Sequence, residues 1–175
     1  MNHEATALLL KDAINNQQFD RAVDQLKDLR PIDTADILAL LDPKISWKLL
    51  EHLPNRATVF SYLEAEEQVE MAFLFPRASL AKLVGEMPSD ERTDLYKHLN
   101  QNQRDALLPA LAQAEREDIR RLSAYAEKTA GALMTSDYAT LKAEMTVAEA
   151  LAALRLEAPD AETIYHAYVI DEQRK

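Results

Sequence analysis

The sequence contains no cysteine, which excludes disulfides and thiolate metal sites and suits a reducing compartment. Glycine is nearly absent too: Gly85 and Gly131 are the only two, beside seven prolines. Folds rich in strands and tight turns consume glycine, so short helices joined by proline-started turns are expected. Two isolated glycines make no phosphate-binding loop, and no nucleophile motif is present, so the chain does not read as an enzyme. No apolar run exceeds five residues, as at Met71 to Phe75, whereas a membrane-spanning helix needs about 20. The start, Met1 to Asp12, holds the acid Glu4 and only a brief apolar stretch, unlike a signal peptide. The chain as given is expected to be soluble, without direct membrane insertion.

Positive charge is also in short supply. Twenty Lys and Arg face 30 Asp and Glu, a formal net charge of −10 that argues against nucleic acid as a partner. It suits a cation ligand, although acids also serve simply to keep a helical surface dissolved. His3, His52, His98 and His166 lie far apart without metal-ligand spacing and read as ordinary surface or partly buried residues. Trp47, Phe60, Tyr62, Phe73 and Phe75 are spaced like helix core, not like a platform for stacking bases.

What is present is 47% hydrophobic content over 175 residues, enough for one globular domain or one domain and part of another. Ala7, Leu8, Leu10 and Ile14 share a face of an opening helix over residues 4–15, broken at Asn15-Asn16. Phe19, Ala22, Val23, Leu26 and Leu29 form the next amphipathic stripe, which is expected to stop at Arg30 before a proline. Prolines then fall at 31, 43, 54, 76 and 88, the gap of 22 being two units of 11, with Glu66-Glu67 near the missing beat. Each unit ends in an apolar cluster, such as Ile37-Leu38-Leu40-Leu41, Leu49-Leu50-Leu53, Leu80-Leu83-Val84 or Leu95-Leu99. Such units are helices of two to three turns with proline suited to the first turn, and each must bury its stripe on its neighbours. Paired, they repeat about every 23 residues, a superhelical, α-solenoid-like array. Residues 103–125 predict a longer charged helix with Leu107, Leu108, Leu111, Ile119 and Leu122 inward, kinked or split by Pro109 and reaching out of the array.

AGALMT, Ala130 to Thr135, divides this part from the rest, and Gly131 suggests that the backbone needs unusual freedom there. Beyond it, Tyr138, Thr140 and Leu141 predict an extended segment, and Thr146 with Glu149 predicts a capping box. The helix so started should carry Ala150, Leu151 and Leu154 inward, and Ile164 to Ile170 has the make-up of a strand. One helix and two strands bury too little to form a domain, so the tail should be poorly packed or pair with another copy through Ile164 to Ile170.

The Leu-rich repeats, MPSDERTDL (Met87 to Leu95), YAEKTAGALMT (Tyr125 to Thr135), MTVAEALAAL (Met145 to Leu154) and ETIYHAYVID (Glu162 to Asp171) together resemble the MgtE family of magnesium transporters and channels. The resemblance implies a mainly α fold with a helical N domain over residues 1–129 and the start of a first α/β CBS domain over residues 130–175. It implies a place at the cytoplasmic face of the cell's inner membrane. The implied partners are Mg²⁺, the chain's own downstream CBS and transmembrane domains, and a second copy in a homodimer. Mg²⁺ between the N domain and the CBS domains would favour the closed pore. Lys128 and Thr129 depart from the acid and serine usual in the family, which leaves no role for those side chains carried over.

Asp90 and Asp94 are four apart in Pro88 to Asp94 and project from one helical face, with Glu91 beside them. Mg²⁺ is a hard octahedral cation that keeps several waters and takes one or two carboxylates. The resemblance places the family's N-domain metal acids at Asp90 and Asp94. The competing reading has Ser89 as N-cap and Asp90 and Glu91 favouring the helix dipole. Two other functions remain open: a helical docking scaffold, like the short-helix arrays of flagellar motor switch proteins, and a nucleotide-binding CBS module.

Overall fold

The computed structural model describes residues 2–126, 128–135, 138–157 and 163–171, with the side chains of 73, 157 and 163–165 outside that set. Ten short helices come first: α1 (His3–Asn15), α2 (Phe19–Leu26), α3 (Pro31–Ala39), α4 (Pro43–Leu50), α5 (Arg56–Ser61), α6 (Ala65–Leu74), α7 (Arg77–Gly85), α8 (Ser89–His98), α9 (Gln101–Leu107) and α10 (Gln113–Leu122). Strand β1 (Tyr138–Lys142), helix α11 (Val147–Glu157) and strand β2 (Thr163–Ile170) follow.

Among the described residues no helix exceeds 13 residues, a length at which isolated helices are marginal, so packing must supply the stability. It does so between next-nearest neighbours. Helices α1, α3, α5, α7 and α9 pack in succession as one row, and α4, α6, α8 and α10 as the other. The second row starts at 43, 65, 89 and 113, so the expected period near 23 is realised. Leu10, Leu26, Ile37, Leu38, Leu49, Leu50, Phe60, Leu83, Leu95 and Ile119 are fully buried in one continuous core.

The prolines do not all occupy the same place. Pro31 and Pro43 open their helices, Pro76 and Pro88 sit at the N-cap, and Pro54 precedes α5 by two residues. At the missing beat Glu64 caps α6, its backbone N–H donating to Glu67 Oε2 at 3.2 Å.

A second device recurs at the helix starts. The last four carbonyls of any helix lack intrahelical partners. Here the fourth residue of a helix reaches back eight positions to supply one. Ser46 Oγ donates to Leu38 O at 2.7 Å, and Gln68 Nε2 to Phe60 O at 3.0 Å. Arg92 Nε donates to Val84 O at 3.0 Å, and Arg104 Nε to Tyr96 O at 3.0 Å. Gln68 adds Leu63 O at 3.0 Å and Arg92 adds Met87 O at 2.7 Å. Arg116, fourth in α10, bonds Leu111 O in the same sense.

Several expectations need correction. α2 ends at Leu26, not Arg30; Arg30 is the extended N-cap of α3, so the chain leaves the helix earlier to make its turn. Leu8, Leu40 and Tyr62 are 62, 43 and 54% exposed because the row packing covers a narrower stripe than the apolar spacing suggested. Phe73's side chain lies outside the described residues; Trp47, Phe60 and Phe75 are core, with Trp47 and Phe75 stacked at 3.4 Å between centroids. Residues 103–125 are split at Pro109 by a 3-10 turn, Leu108–Ala110, and α10 does not reach out. It folds back on α8, burying Ile119 and Leu122.

β1 and β2 pair in parallel, Ala139 opposite Ala167 and Leu141 opposite Val169, with α11 as the crossover that parallel strands need. Thr146 N–H donates to Glu149 Oε2 at 2.8 Å, the expected capping box. Leu151 is 49% exposed, not inward, since a sheet of two strands covers only part of α11.

Gln68 is buried, so Gln68→Met strands carbonyls of the α5 end and should lower stability by about 2 kcal/mol. Urea unfolding measures it; an unchanged midpoint would show that the clamp contributes nothing. Glu86 joins Arg56 across α5 and α7, Arg56 Nε donating at 2.7 Å. That hydrogen bond, more than the opposing burial, holds the Glu86 carboxyl below the ordinary glutamate range. Its stabilisation is therefore present above the unfolded-state value and is lost as pH falls through the lower folded value. Glu86→Gln should flatten the acid limb of the stability profile slightly, by less than about 1 kcal/mol because the pair is partly exposed.

Candidate metal centre

Helix α8 begins with Ser89, which follows the Pro88 N-cap and is fully buried. Ser89 is therefore the first helical residue, not the cap, because proline's fixed φ of −53° with ψ of 150° already supplies the turn into the helix. Ser89, Arg92, Thr93 and Leu95 face the core. That periodicity leaves Asp90 and Glu91 half-buried at the flank and Asp94 exposed.

The first turn is held from three sides. Arg92 grips the end of α7 through Val84 O and Met87 O. Thr93 Oγ1 donates to Ser89 O at 2.7 Å. Ser89 Oγ lies 3.2 Å from Thr135 Oγ1, joining α8 to the segment that leads into β1. Within that frame Asp90 Oδ1 is buried without a hydrogen-bond partner. A buried acceptor of this kind costs about 1–3 kcal/mol unless something donates or coordinates to it. Asp94 stands one turn on, where Lys97 Nζ approaches its Oδ1 at 3.3 Å and His98 Nδ1 donates to its backbone O at 2.7 Å. Glu91 is already engaged.

Asp90 and Asp94 thus share a helix flank as expected, and no third ligand joins them among the described residues. Among the described residues no group of three or more His, Asp or Glu side chains could hold a metal ion. The donor set nevertheless fits a mostly hydrated Mg²⁺, which takes only one or two carboxylates, and Asp90 Oδ1 is a buried acceptor without a partner. His3 lies 3.3 Å from Asp33, and His52 bonds Lys48 O, so these histidines serve local contacts.

The junction beside the acids is tightly fitted. No glycine has positive φ, so Gly131 is not needed for backbone freedom. It is needed for space: a Cβ there would stand 2.3 Å from the Tyr125 ring. Lys128 takes φ of 63°, and Thr129 Oγ1 donates to Ala126 O at 2.7 Å, which gives the Thr129 side chain a local structural role. Sequence reasoning missed Arg92, Thr135 and Tyr125. Arg92 could have been found from the recurrence of Gln68, Arg92, Arg104 and Arg116 at helix starts. Nothing in the sequence signals a contact between Ser89 and Thr135, 46 positions apart.

Fold and site define a class: a helical-repeat module with an acidic helix flank at the point where the chain passes into a βαβ unit. The MgtE intracellular N domain matches residues 29–128, and the chain belongs to the MgtE family. It is 31% identical over 97% of its length to the magnesium transporter MgtE of Thermus thermophilus, of which it spans 39%. It is 41% identical over 59 residues to the magnesium transporter MgtE of Enterococcus faecalis, 34% of this chain and 13% of that protein. It superposes on the crystal structure of the soluble part of a magnesium transporter with a TM-score of 0.87 at 28% identity, over 98% of this chain and 68% of that one. On the cytosolic domain of the Mg²⁺ channel MgtE in complex with ATP the TM-score is 0.83 at 31% identity, over 95% and 69%.

Without metal, Asp90→Asn should raise the stability of the fold by up to about 1 kcal/mol. It removes a charge that has a stranded buried oxygen and a like charge one turn away. Thermal melting in chelator measures this; a fall in melting temperature would mean that the helix-dipole benefit of Asp90 dominates.

Proposed function

We propose that this chain is the Mg²⁺-sensing regulatory part of a magnesium transporter or channel, acting at the cytoplasmic face of the membrane and not as an enzyme. Residues 1–129 form the N domain and residues 130–175 belong to a first CBS domain. The observation that carries the reading is the buried, unpartnered Asp90 Oδ1 on a rigidly held helix flank, one turn from Asp94, in a chain of the MgtE family. Asp90 and Asp94 hold the ion, with Glu91 beside them.

Two carboxylates leave Mg²⁺ mostly water-ligated, so binding to this chain alone is weak, millimolar at best. In a longer protein, further acids from CBS domains face the same flank. Unbridged, the like charges repel and the N domain swings away; bridged by Mg²⁺, the domains close and the pore with them. The ion can shift that equilibrium only by its differential affinity for the closed state. A homodimer and the downstream CBS and transmembrane domains are the partners this reading requires. A second reading, nucleotide binding by the CBS unit, draws support from the likeness to an MgtE cytosolic domain solved with ATP.

Calorimetric Mg²⁺ titration of this chain beside one extended through both CBS domains tests the proposal. Tighter binding in the longer protein, abolished by Asp94→Ala, is the expected result. Equal affinity in the two would sink the interdomain mechanism, and an acid-independent rise in melting temperature with ATP would favour the second reading.

A further inference from the structure

Among the described residues, ion pairs three positions apart recur along the helices, and the one at the candidate site differs from the others. Lys27–Asp24, Arg30–Asp33 and Arg121–Asp118 close at 2.8, 2.7 and 2.7 Å. Lys97 Nζ stands 3.3 Å from Asp94 Oδ1, beyond the roughly 2.7–2.9 Å of a tight charge-assisted bond. Lys97 is also the least exposed of these cations, its side chain 21% accessible where that of Asp94 is 52% accessible. The end of α8 that carries it is fixed, because Arg104 Nη2 donates to Lys97 O at 2.6 Å from the first turn of α9. A sheltered, tethered ammonium therefore leans loosely on a carboxylate that solvent reaches.

Any ion that takes Asp94 must exchange with this ammonium. A monovalent cation replaces one charge by one and surrenders its translational freedom, which the tethered ammonium has already lost. A divalent cation brings twice the charge, so its Coulomb attraction to the carboxylate outweighs what the ammonium gives up. We propose that Lys97 is a built-in competitor for Asp94, which makes the site selective for divalent ions and raises the Mg²⁺ concentration at which it fills. The inference rests on the metal reading above and concerns the role of Lys97 alone. Displaced by less than a helical turn, the ammonium still repels the bound ion, which after screening by salt amounts to about three- to tenfold in affinity. A lysine in the last turn also suits the dipole of α8. That benefit alone would change stability and leave ion preference untouched.

Mg²⁺ titration of this chain, followed by nuclear magnetic resonance of the Asp94 backbone amide, tests the role. Lys97→Met keeps the apolar stem and removes the charge. It should bind Mg²⁺ about three- to tenfold more tightly, and Lys97→Arg should match the unaltered chain. Potassium chloride at about 0.1 M, in place of tetramethylammonium chloride at the same ionic strength, should weaken Mg²⁺ binding at least about twofold in Lys97→Met but not in the unaltered chain. With Asp94→Asn already present, removing Lys97 should change Mg²⁺ affinity by less than about twofold. Unchanged Mg²⁺ affinity in folded Lys97→Met, or indifference of that variant to potassium, overturns the role of Lys97; if Asp94→Ala still weakens binding, the metal reading stands. No Mg²⁺-dependent shift at Asp94 in any of these chains overturns both.

Discussion

The array depends on one interaction: a donor side chain in the first turn of a helix satisfies the open carbonyls at the end of the helix before it. Ser46, Gln68, Arg92 and Arg104 all do this from the fourth position, each reaching eight residues back. Helices of seven to ten residues have nearly as many open carbonyls as closed ones, so their ends dominate their energetics. Burying such ends without partners would cost more than the apolar stripes return. The clamps remove that cost, fix the angle between successive helices, and so let the two rows pack.

The candidate site inherits this constraint. Arg92 is both the clamp on α7 and the centre of the first turn of α8, between Glu91 and Thr93. Its guanidinium is nearly fully buried and cannot shift without releasing two carbonyls. Asp90 and Asp94 are therefore presented from a turn that is fixed before any ion arrives, and the Ser89–Thr135 contact carries the same rigidity into the chain leading to β1. Preorganisation of this kind matters most when a site has few ligands, because little binding energy is available to order it.

Much of this was readable in advance because it is written at short range. The proline rhythm and Leu-rich ends marked the helices, Pro109 marked the break between α9 and α10, and Thr146 with Glu149 marked the start of α11. The shared helical face of Asp90 and Asp94 was visible from their spacing, while their reading as metal acids came from the family resemblance. What escaped was set by contacts between distant segments. α10 looked like a solvated arm because its polar residues outnumber its apolar ones, yet Ile119 and Leu122 suffice to hold it on α8. Gly131 looked like a conformational need and proved a steric one, imposed by Tyr125 six residues earlier. Leu151 looked internal from periodicity, but periodicity cannot say how wide a sheet will cover it.

The clamps also have a direction. Each reaches toward the amino terminus, so α3, α5, α7 and α8 are each finished by the helix that follows. A chain emerging from the ribosome meets its partners in that order. For the ends of α3, α5, α7 and α8 the closing donor lies only eight residues beyond the carbonyl it serves. Synthesis at about 5–20 residues per second then delivers each closing side chain within a few seconds of the carbonyls it serves. These four ends can close as the chain is made, whereas the Ser89–Thr135 contact waits for a segment 46 residues further on.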